Sequence, residues 1–573
     1  MKHRLICSLL ATCAVSLPIF SQEALKSTEE EYYDYLSLQG LAKRPTLGYR
    51  TLSDNEWILT DEAKTADENV WKNNSLGSKW TVYEPVQKTD NFFTRGIDQS
   101  IKVKAYGPEW YNSYNTAIPY GQNDGALWQG KGYNTSFTAG ARLEAYGLEV
   151  TFKPQLSFSQ NKEFDYIIDN RMQSSAYSDK ADTYGYLWGV IDAPQRFGDE
   201  SFYTYDWGDT EIRYTWHNLT TGIGTQPIWL GSSFLNSVLG SNNAGSYPKF
   251  DIGLRKTKIY IPFYNWYVGD IEARIWMGYL TESDYFDDND SNNHNRINGF
   301  TFSYAPSLLP GLSLGITKIC LSQWDKINIR YLNPLYATNS GVGTAVGEDQ
   351  KASVYADWIC PEVGLELYGE LGVDDYYYKG WKRGLVRYAP ENIIWTMGLK
   401  KTVNFTKVGN VHGEIILEVS DWEMPRSRLS DNQTYSFNTH YQIKQGFTNN
   451  GQAIGSPLGI GGNSQYLGFK IYYPKGSSLL FINRTNPDTT YSYINNTDNH
   501  GIKGMLTVGL ETDYFVNRNF NLFGGASYSY IENPYYFERD DSGEKIINPD
   551  TNNIIQTGKM NNFSFSLGAK YNF

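Results

Sequence analysis

The 573-residue sequence has few of the residues that metal and redox sites need. It contains four cysteines, and two of them, Cys7 and Cys13, lie in the N-terminal leader. The other two, Cys320 and Cys360, belong to no CxxC pair or Cys/His cluster, which argues against a zinc or iron–sulfur site. No cofactor and no metal are expected. The pair fits either one disulfide or two unpaired cysteines in strands.

Positive charge and long apolar runs are also scarce. The net charge is −12, which argues against nucleic acid as a partner. After the leader, no segment approaches the roughly 18 to 20 apolar residues that a membrane-spanning helix requires. Histidines are few, and none lies in a G-x-S-x-G or H-E-x-x-H motif. The sequence therefore predicts a protein that is not an enzyme.

The chain begins with a secretory signal peptide at residues 1–21. Three basic residues at positions 2–4 precede a mostly apolar run from Leu5 to Phe20, and cleavage is expected near Ser21. The mature protein is thus predicted to leave the cytoplasm.

The last strand alternates strictly between apolar and polar residues. Side chains of a strand switch faces with period two, so one face is apolar and the other is polar. The apolar positions are Phe563, Phe565, Leu567, Ala569, Tyr571 and Phe573. Such a strand, ending on a terminal Phe, is typical of bacterial outer-membrane β-barrels, and Tyr571 and Phe573 are predicted to form the signal for barrel assembly.

Taking Phe573 as the periplasmic rim, short turns and long polar connections alternate back along the chain, as in outer-membrane barrels. An opening strand near 96–106 completes eighteen strands. The predicted fold is therefore an all-β transmembrane antiparallel barrel over residues 96–573. The short turns are expected near Tyr146-Gly147, Trp207–Asp209, Pro262–Trp266, Pro306–Gly311, Pro361-Glu362, Val408–Asn410, Pro474–Gly476 and Arg518.

Residues 22–95 do not follow the strand pattern. Ser27 or Thr28 can start a capping box, Gly40 is a plausible C-cap, and Ser53-Asp54 is a candidate start of a second helix. This N-terminal helical segment is predicted to lie in the periplasm or to plug the lumen, with a flexible tether as the alternative.

The long connections contain Trp, Tyr, Asn, Asp and Gly in the mixture that carbohydrate sites use. Aromatic faces stack on sugar C–H groups, and amides bind hydroxyls. The alternative is that each Trp at a loop base anchors the membrane interface. The candidate glycan contacts are Asn123, Asp124, Trp128, Gln129, Lys131, Trp229, Asn242, Asn243, Gln323, Trp324, His440 and Tyr441.

These segments also carry a family resemblance. NDGALWQGKG at 123–132, the stretch Pro227–Ala244, GEDQKASVYADW from Gly347, LYGELGVDD from Leu367, the loop His440–Gly462 and NRTNPD at 483–488 resemble the Wzi-type outer-membrane capsule-assembly proteins. The resemblance implies an eighteen-stranded barrel with an N-terminal helical piece and a lectin-like role in retaining capsular polysaccharide.

The resulting prediction is an outer-membrane protein of a diderm bacterium that binds surface polysaccharide. Its loops are expected outside the cell and both mature termini in the periplasm. The expected partners are surface or capsular polysaccharide, outer-membrane lipid and the barrel-assembly machinery, and the expected state is a monomer. A porin or transport channel is the alternative, because eighteen strands can enclose an open pore.

Overall fold

The computed structural model describes residues 26–74, 77–165, 191–287, 289–325, 347–374, 393–405, 410–424, 437–440, 442–489, 502–536, 538, 540, 546–552, 555 and 557–573. The predicted signal peptide lies outside the described residues. Among the described residues, no helix has the length and apolarity needed to cross a membrane.

Eighteen antiparallel strands form a closed barrel, as predicted. Each strand pairs with the next along the chain, and β18 closes the barrel on β1, with Ser564 opposite Asn115 and Lys570 opposite Glu109. The strands are β1 (Ile101–Asn115), β2 (Gly132–Ala145), β3 (Leu148–Phe152 and Gln155–Ser159), β4 (Phe202–Asp206 and Glu211–Trp216), β5 (Leu219–Gly224), β6 (Lys249–Ile261), β7 (Trp266–Thr281), β8 (His294–Pro306), β9 (Leu312–Gln323), β10 (Glu348–Cys360), β11 (Leu365–Asp374), β12 (Ile393–Asn404), β13 (His412–Asp421), β14 (Asn463–Tyr473), β15 (Gly476–Asn486), β16 (Gly504–Phe515), β17 (Phe520–Glu532) and β18 (Lys559–Tyr571).

The lengths of the connections divide the barrel into a short-turn end and a long-loop end. Two-residue turns such as Tyr146-Gly147 and Pro474-Lys475 join strands at the first end. The connection from β5 to β6 (225–248) and the one from β13 to β14 (422–462) lie at the second. This alternation holds around the whole barrel.

Two predicted boundaries are wrong. The first strand begins at Ile101 and runs to Asn115, so the first long connection starts at 116 instead of 107. The predicted turn at Trp207–Asp209 is an irregularity within β4, where Gly208 bridges to Lys153. The actual turn is His217-Asn218, in which both residues have positive φ (+47° and +70°), as a type I′ hairpin requires.

The outer surface of the barrel is apolar and the inner surface is polar. In β16, Leu506, Val508 and Leu510 are 43, 40 and 50% exposed, whereas Thr507 between them is 1% exposed. The same alternation is confirmed in β18, where Asn562 is buried. An apolar belt of this extent suits a lipid bilayer. Cys320 and Cys360 are both unpaired thiols.

The N-terminal segment (residues 26–74) begins with the helix α1 (Thr28–Ser37). The Ser27 hydroxyl caps the helix by accepting a hydrogen bond from the Glu30 N–H at 3.2 Å, as predicted. At the other end Gly40 has φ +73°, and the Leu41 N–H returns to the Leu36 carbonyl at 2.9 Å, which is the predicted C-terminal stop.

No helix starts at Ser53-Asp54, contrary to prediction. These residues form a turn, and the described part of residues 26–95 contains only one further helical piece, the short 3₁₀ helix Glu62–Lys64. The Asp54 carboxylate instead pairs with Arg255 (2.6 Å) and with Arg274 in the barrel wall. An ion pair over a long sequence separation overrides the local capping signal.

The N-terminal segment lies against the inner surface of the barrel. Arg44 pairs with Asp357 at 2.6 Å and with Glu366 at 2.7 Å, and Glu29 pairs with Lys570 at 2.9 Å. The Glu272 carboxylate accepts three successive backbone N–H groups, those of residues 47–49, at 2.8–3.1 Å. Aromatic packing of α1 adds to these contacts, with Tyr35 and Tyr472 ring centroids 4.5 Å apart.

The connection 225–248 folds inward and meets the N-terminal segment. The strand Trp229–Leu230 pairs with Tyr49–Arg50. Glu418 of β13 accepts the backbone N–H groups of residues 234–236 at 2.7–3.2 Å. The barrel interior is thus occupied by the N-terminal segment and by a connection that enters from the long-loop end.

A core of apolar side chains lies next to the junction between the connection 225–248 and the N-terminal segment. Val238 and Leu239 of the inward connection pack with Phe447 and Leu458 of the connection 422–462 and with Trp276 of the wall, all of them under 5% exposed. A soluble-type hydrophobic core therefore lies inside the barrel, where an open pore would contain water.

Candidate functional site

The long-loop end is covered by a surface that we call the loop cap. It is formed by the described residues of five connections: 116–131, 191–201, 225–248, 282–287 and 437–462. Hydrogen bonds between side chains and backbone join these loops to one another, so the loops form one connected surface.

Two of the predicted motifs come together in the loop cap. The Asn123 amide donates to the Leu235 carbonyl at 3.2 Å, and the Gly125 N–H donates to the Asn242 carbonyl at 2.6 Å. The Asn243 amide donates to the Ala453 carbonyl at 3.0 Å. Asn123, Asn242 and Asn243 thus connect three loops, which is a structural role shown by their contacts.

Asp124 and Gln129 form a buried polar group at the base of the first loop. The Gln129 amide donates to the Asp124 carboxylate at 3.1 Å, and its carbonyl oxygen accepts from Ser113 at 2.5 Å. Burial raises the pKa of Asp124 to about 6, although the hydrogen bond from Gln129 opposes this shift. Both side chains support the loop more than they face solvent.

Asp192 joins three connections of the loop cap, and no sequence pattern predicted this role. Its carboxylate accepts from the Ser283 N–H at 2.7 Å, from the Ser283 hydroxyl at 2.5 Å and from the Gly451 N–H at 3.1 Å. Three separate loops therefore meet at one fully buried side chain. Burial raises the pKa of Asp192 to about 6.

Trp128 belongs to an aromatic cluster where the loop cap meets the start of β4. Its ring centroid is 4.9 Å from that of Phe197, which in turn is 5.8 Å from Tyr285 and 5.9 Å from Phe202. All four rings are half-buried, so each retains accessible surface. We call Trp128, Phe197, Tyr285 and Phe202 the ring cluster. Only Trp128 was predicted.

Trp229 and Trp324 occupy different environments. Trp229 is fully buried, its indole N–H donates to the Ser233 carbonyl at 3.1 Å, and the Arg50 guanidinium lies 5.4 Å from its ring. A ligand cannot reach this ring in the present arrangement. Trp324 packs at 4.8 Å against Tyr279, which lies on the less buried, outward face of β7. Such an outward position is the one expected for a membrane-interface anchor, the alternative considered for each Trp.

The remaining candidates are scattered. Gln323 ends β9 opposite Asn295. The His440 ring nitrogen Nδ1 accepts the N–H groups of Gln442 and Ile443 at 3.3 and 3.2 Å, which shapes its own loop. Lys131 is half-buried at the start of β2. Tyr441 lies outside the described residues.

The polar residues of the strands offer no catalytic pair. His412, Glu414 and Glu418 are buried on the inner face, where His412 Nδ1 faces the Asn404 side-chain oxygen at 3.0 Å and Glu414 accepts from the Tyr472 hydroxyl at 2.8 Å. Within the described ranges, no three His, Cys, Asp or Glu side chains are grouped to hold a metal ion.

The fold is that of the outer-membrane β-barrels, and a comparison with known proteins supports the same class. No family model and no curated protein sequence matches this chain. Among solved structures it is similar to Wzi of Escherichia coli, an outer-membrane protein involved in group 1 capsule assembly and a carbohydrate-binding β-barrel. The TM-score is 0.52 at 12% identity, over 82% of this chain and 85% of Wzi.

Similarity to two other barrels is lower. For OprB of Pseudomonas putida the TM-score is 0.35 at 14% identity, over 82% of this chain and 94% of that one. For OccAB1 of Acinetobacter baumannii it is 0.35 at 10% identity, over 85% and 99%. The similarity to Wzi, at 12% identity, shows the fold alone.

Proposed function

We propose that this protein is an outer-membrane barrel that binds and retains surface or capsular polysaccharide through its loop cap. In this proposal the long-loop end faces the outside, the short-turn end and both mature termini face the periplasm, and the protein acts as a monomer without enzymatic activity. Wzi, the structural neighbour above, is a carbohydrate-binding barrel, and the proposal transfers that role to this chain.

The proposal rests on one combined observation: ordered chain occupies the interior of the barrel, and hydrogen bonds join the loops at its long-loop end. Glu418 and Glu272 hold chain inside the barrel by three backbone N–H groups each. Asp192 and Asn243 hold the loops together at the long-loop end. Because ordered chain occupies the barrel interior, this arrangement favours binding of a ligand at the outer surface over passage of solutes through the barrel.

The test compares Trp128 of the loop cap with Trp324, which lies outside the loop cap and packs against the outward-facing Tyr279. The purified protein in detergent is titrated with glycans on an array, alongside Trp128→Ala and Trp324→Ala. We expect Trp128→Ala to weaken binding by about tenfold or more, because truncating a central aromatic contact costs about 2 kcal/mol. Trp324→Ala removes a ring of similar size from the outer face and should bind as the unchanged protein does.

A cellular measurement complements the binding assay. Deletion of the gene should release surface glycan into the medium, and Trp128→Ala should reproduce part of that release. Unchanged retention in the deletion strain, or equal binding by both variants, would overturn the proposal.

Two further partners belong to the proposal. The terminal residues Tyr571 and Phe573 are 42 and 57% exposed on the outward face, with ring centroids 5.1 Å apart. Such a pair is available to the barrel-assembly machinery during insertion. After insertion the same face would contact outer-membrane lipid.

The porin alternative requires a continuous aqueous path. Among the described residues, an apolar cluster that includes Leu230, Val238 and Phe447 occupies the barrel interior where such a path would run. Conductance measurements separate the two functions.

A further inference from the structure

Carboxylates flank the ring cluster on its solvent side. Asp199 and Asp284 are exposed and lie close enough to the Tyr285 hydroxyl for their charges to raise its pKa, in addition to the effect of burial. Glu200 follows Asp199 and is exposed as well. A ligand stacked on these rings would therefore approach negative charge.

Two basic side chains described in this region have partners of their own. The Arg196 guanidinium pairs with Asp199 at 3.0 Å and donates to the Asn161 carbonyl at 3.0 Å. The Lys162 ammonium lies 5.5 Å from the ring of Tyr114, an outward-facing residue of β1. In the described parts of the loops around the rings (116–131, 160–165, 191–201 and 282–287), acidic side chains outnumber the three basic ones, Lys131, Lys162 and Arg196.

The neighbouring loop segments have the same charge balance. Residues 282–287 contain Asp284 and Asp287 and no Lys or Arg, and Glu282 is not counted as a charge because burial raises its pKa to about 9. Residues 191–201 contain three acidic side chains against the single Arg196. Fields from several like charges add over a Debye length of about 8 Å at physiological salt, so the ring cluster lies in a negative potential.

We infer that the glycan bound at the ring cluster lacks carboxylate, sulfate and phosphate groups. This inference rests on the proposed function and narrows its ligand from polysaccharide in general to uncharged or amino-sugar polymers. The rings and the amides of the loop cap supply stacking and hydrogen bonds, which neutral sugars use, while the flanking carboxylates disfavour acidic ones.

The experiment measures binding of three oligosaccharide probes to the full mature protein in detergent, with EDTA present. The probes are dextran (neutral), chitosan (cationic) and hyaluronan (anionic), each at about 20 and 300 mM salt. We expect dextran or chitosan to bind, and hyaluronan to bind on the order of tenfold more weakly at low salt. Salt should weaken chitosan binding, leave dextran unchanged and reduce the discrimination against hyaluronan.

A charge-neutralised variant identifies the cause. Asp199→Asn combined with Asp284→Asn should improve hyaluronan binding at low salt severalfold and leave dextran binding unchanged. The matched control is Asp90→Asn, since Asp90 is an exposed carboxylate in a segment that packs on the β4–β5 turn at the opposite end, where Phe92 lies 5.4 Å from Trp216. This control should change nothing.

The outcomes separate the inference from the proposed function. Tighter binding of hyaluronan than of dextran and chitosan, abolished by Trp128→Ala, would overturn the inference and leave the polysaccharide function standing. Equal binding of all three probes, or no effect of the double substitution on hyaluronan, would also overturn it. Binding of none of the probes and of no glycan on the array would overturn the proposed function itself.

Discussion

At the residue scale, the interior is organised by arginines that pair across several strands. Arg274 is fully buried, pairs with Asp251 at 2.6 Å and with Asp54 of the N-terminal segment, and lies 4.6 Å from the Tyr49 ring. Arg213 adds a further pair with Asp251. Such charges are tolerated inside a protein only when each has a partner, because an isolated buried charge is strongly disfavoured.

Replacing Arg274 should therefore be costly. In Arg274→Ala, Asp54 and Asp251 each lose a partner inside the barrel, and we expect about 3 to 5 kcal/mol of destabilisation. The measurement is the temperature at which the folded barrel loses its compact migration on gels. Arg95→Ala is the matched control, since the Arg95–Asp90 pair is 73 and 74% exposed and such pairs contribute less than about 1 kcal/mol. Equal transition temperatures for the two variants would contradict the prediction.

Much of the wall could be predicted from the sequence, and most of the interior could not. The period-two pattern of β18 is local, so its apolar residues identify the lipid face directly. The pair Asp54–Arg274 joins residues 220 positions apart, and no local pattern announces it. His217-Asn218 was missed because its left-handed turn contains no glycine, whereas Gly208 suggested a turn where the strand only bulges.

The candidate site was predicted only in part, because most of its contacts join residues that are far apart in the sequence. Trp128 was found because it lies in a dense local motif. Phe197 and Tyr285 lie in other loops and become its neighbours only when Asp192 joins those loops. Trp229 has the same chemical character as Trp128, but the pairing of its strand with Tyr49–Arg50 buries it.

At the element scale, the loop cap should respond to pH through Asp192. Its folded-state pKa of about 6 lies above the ordinary value of 3.8. The folded state thus binds the proton more tightly than the unfolded loops do. The stabilisation from the protonated form is present below about pH 4 and is lost as the pH rises through about 6. The contacts of Asp192 that join the three loops are expected to weaken over that pH interval.

Hydrogen exchange of the backbone amides of residues 191–201 tests this pH dependence. The exchange rates are corrected for intrinsic rates and compared at pH 5 and pH 8. The unchanged protein should show less protection at pH 8. Asp192→Asn keeps an oxygen acceptor for Ser283 but does not titrate, so its protection should be nearly equal at the two pH values. Glu200→Gln, which changes an exposed carboxylate of the same segment, is the control and should behave as the unchanged protein. The same pH dependence in Asp192→Asn would assign the effect to another group.

At the scale of the whole molecule, two elements lie inside the barrel, each with its own anchors on the wall and paired with the other. The N-terminal segment is tied to β7, β10 and β11 through Glu272, Asp357 and Glu366. The inward connection is tied to β13 through Glu418. A cavity of about 720 Å³ remains between the N-terminal segment and the wall and reaches the turns at Pro306 and Pro361. Water can enter from the short-turn end as far as this cavity, and the apolar core lies beyond it.

Planar-bilayer conductance therefore distinguishes a closed barrel from a porin. The intact protein should form no large, stable channel. A variant lacking residues 26–74 enlarges only the short-turn half, because Glu418 still holds the inward connection, so its conductance should stay low. Replacing residues 228–246 by a Gly-Ser linker leaves the N-terminal segment anchored and should also conduct poorly. The combined variant removes both elements and should give the largest conductance, since eighteen strands then enclose a wide lumen. A large, stable channel in the intact protein would favour the porin function, and full conductance after either single change would show that one element alone closes the barrel.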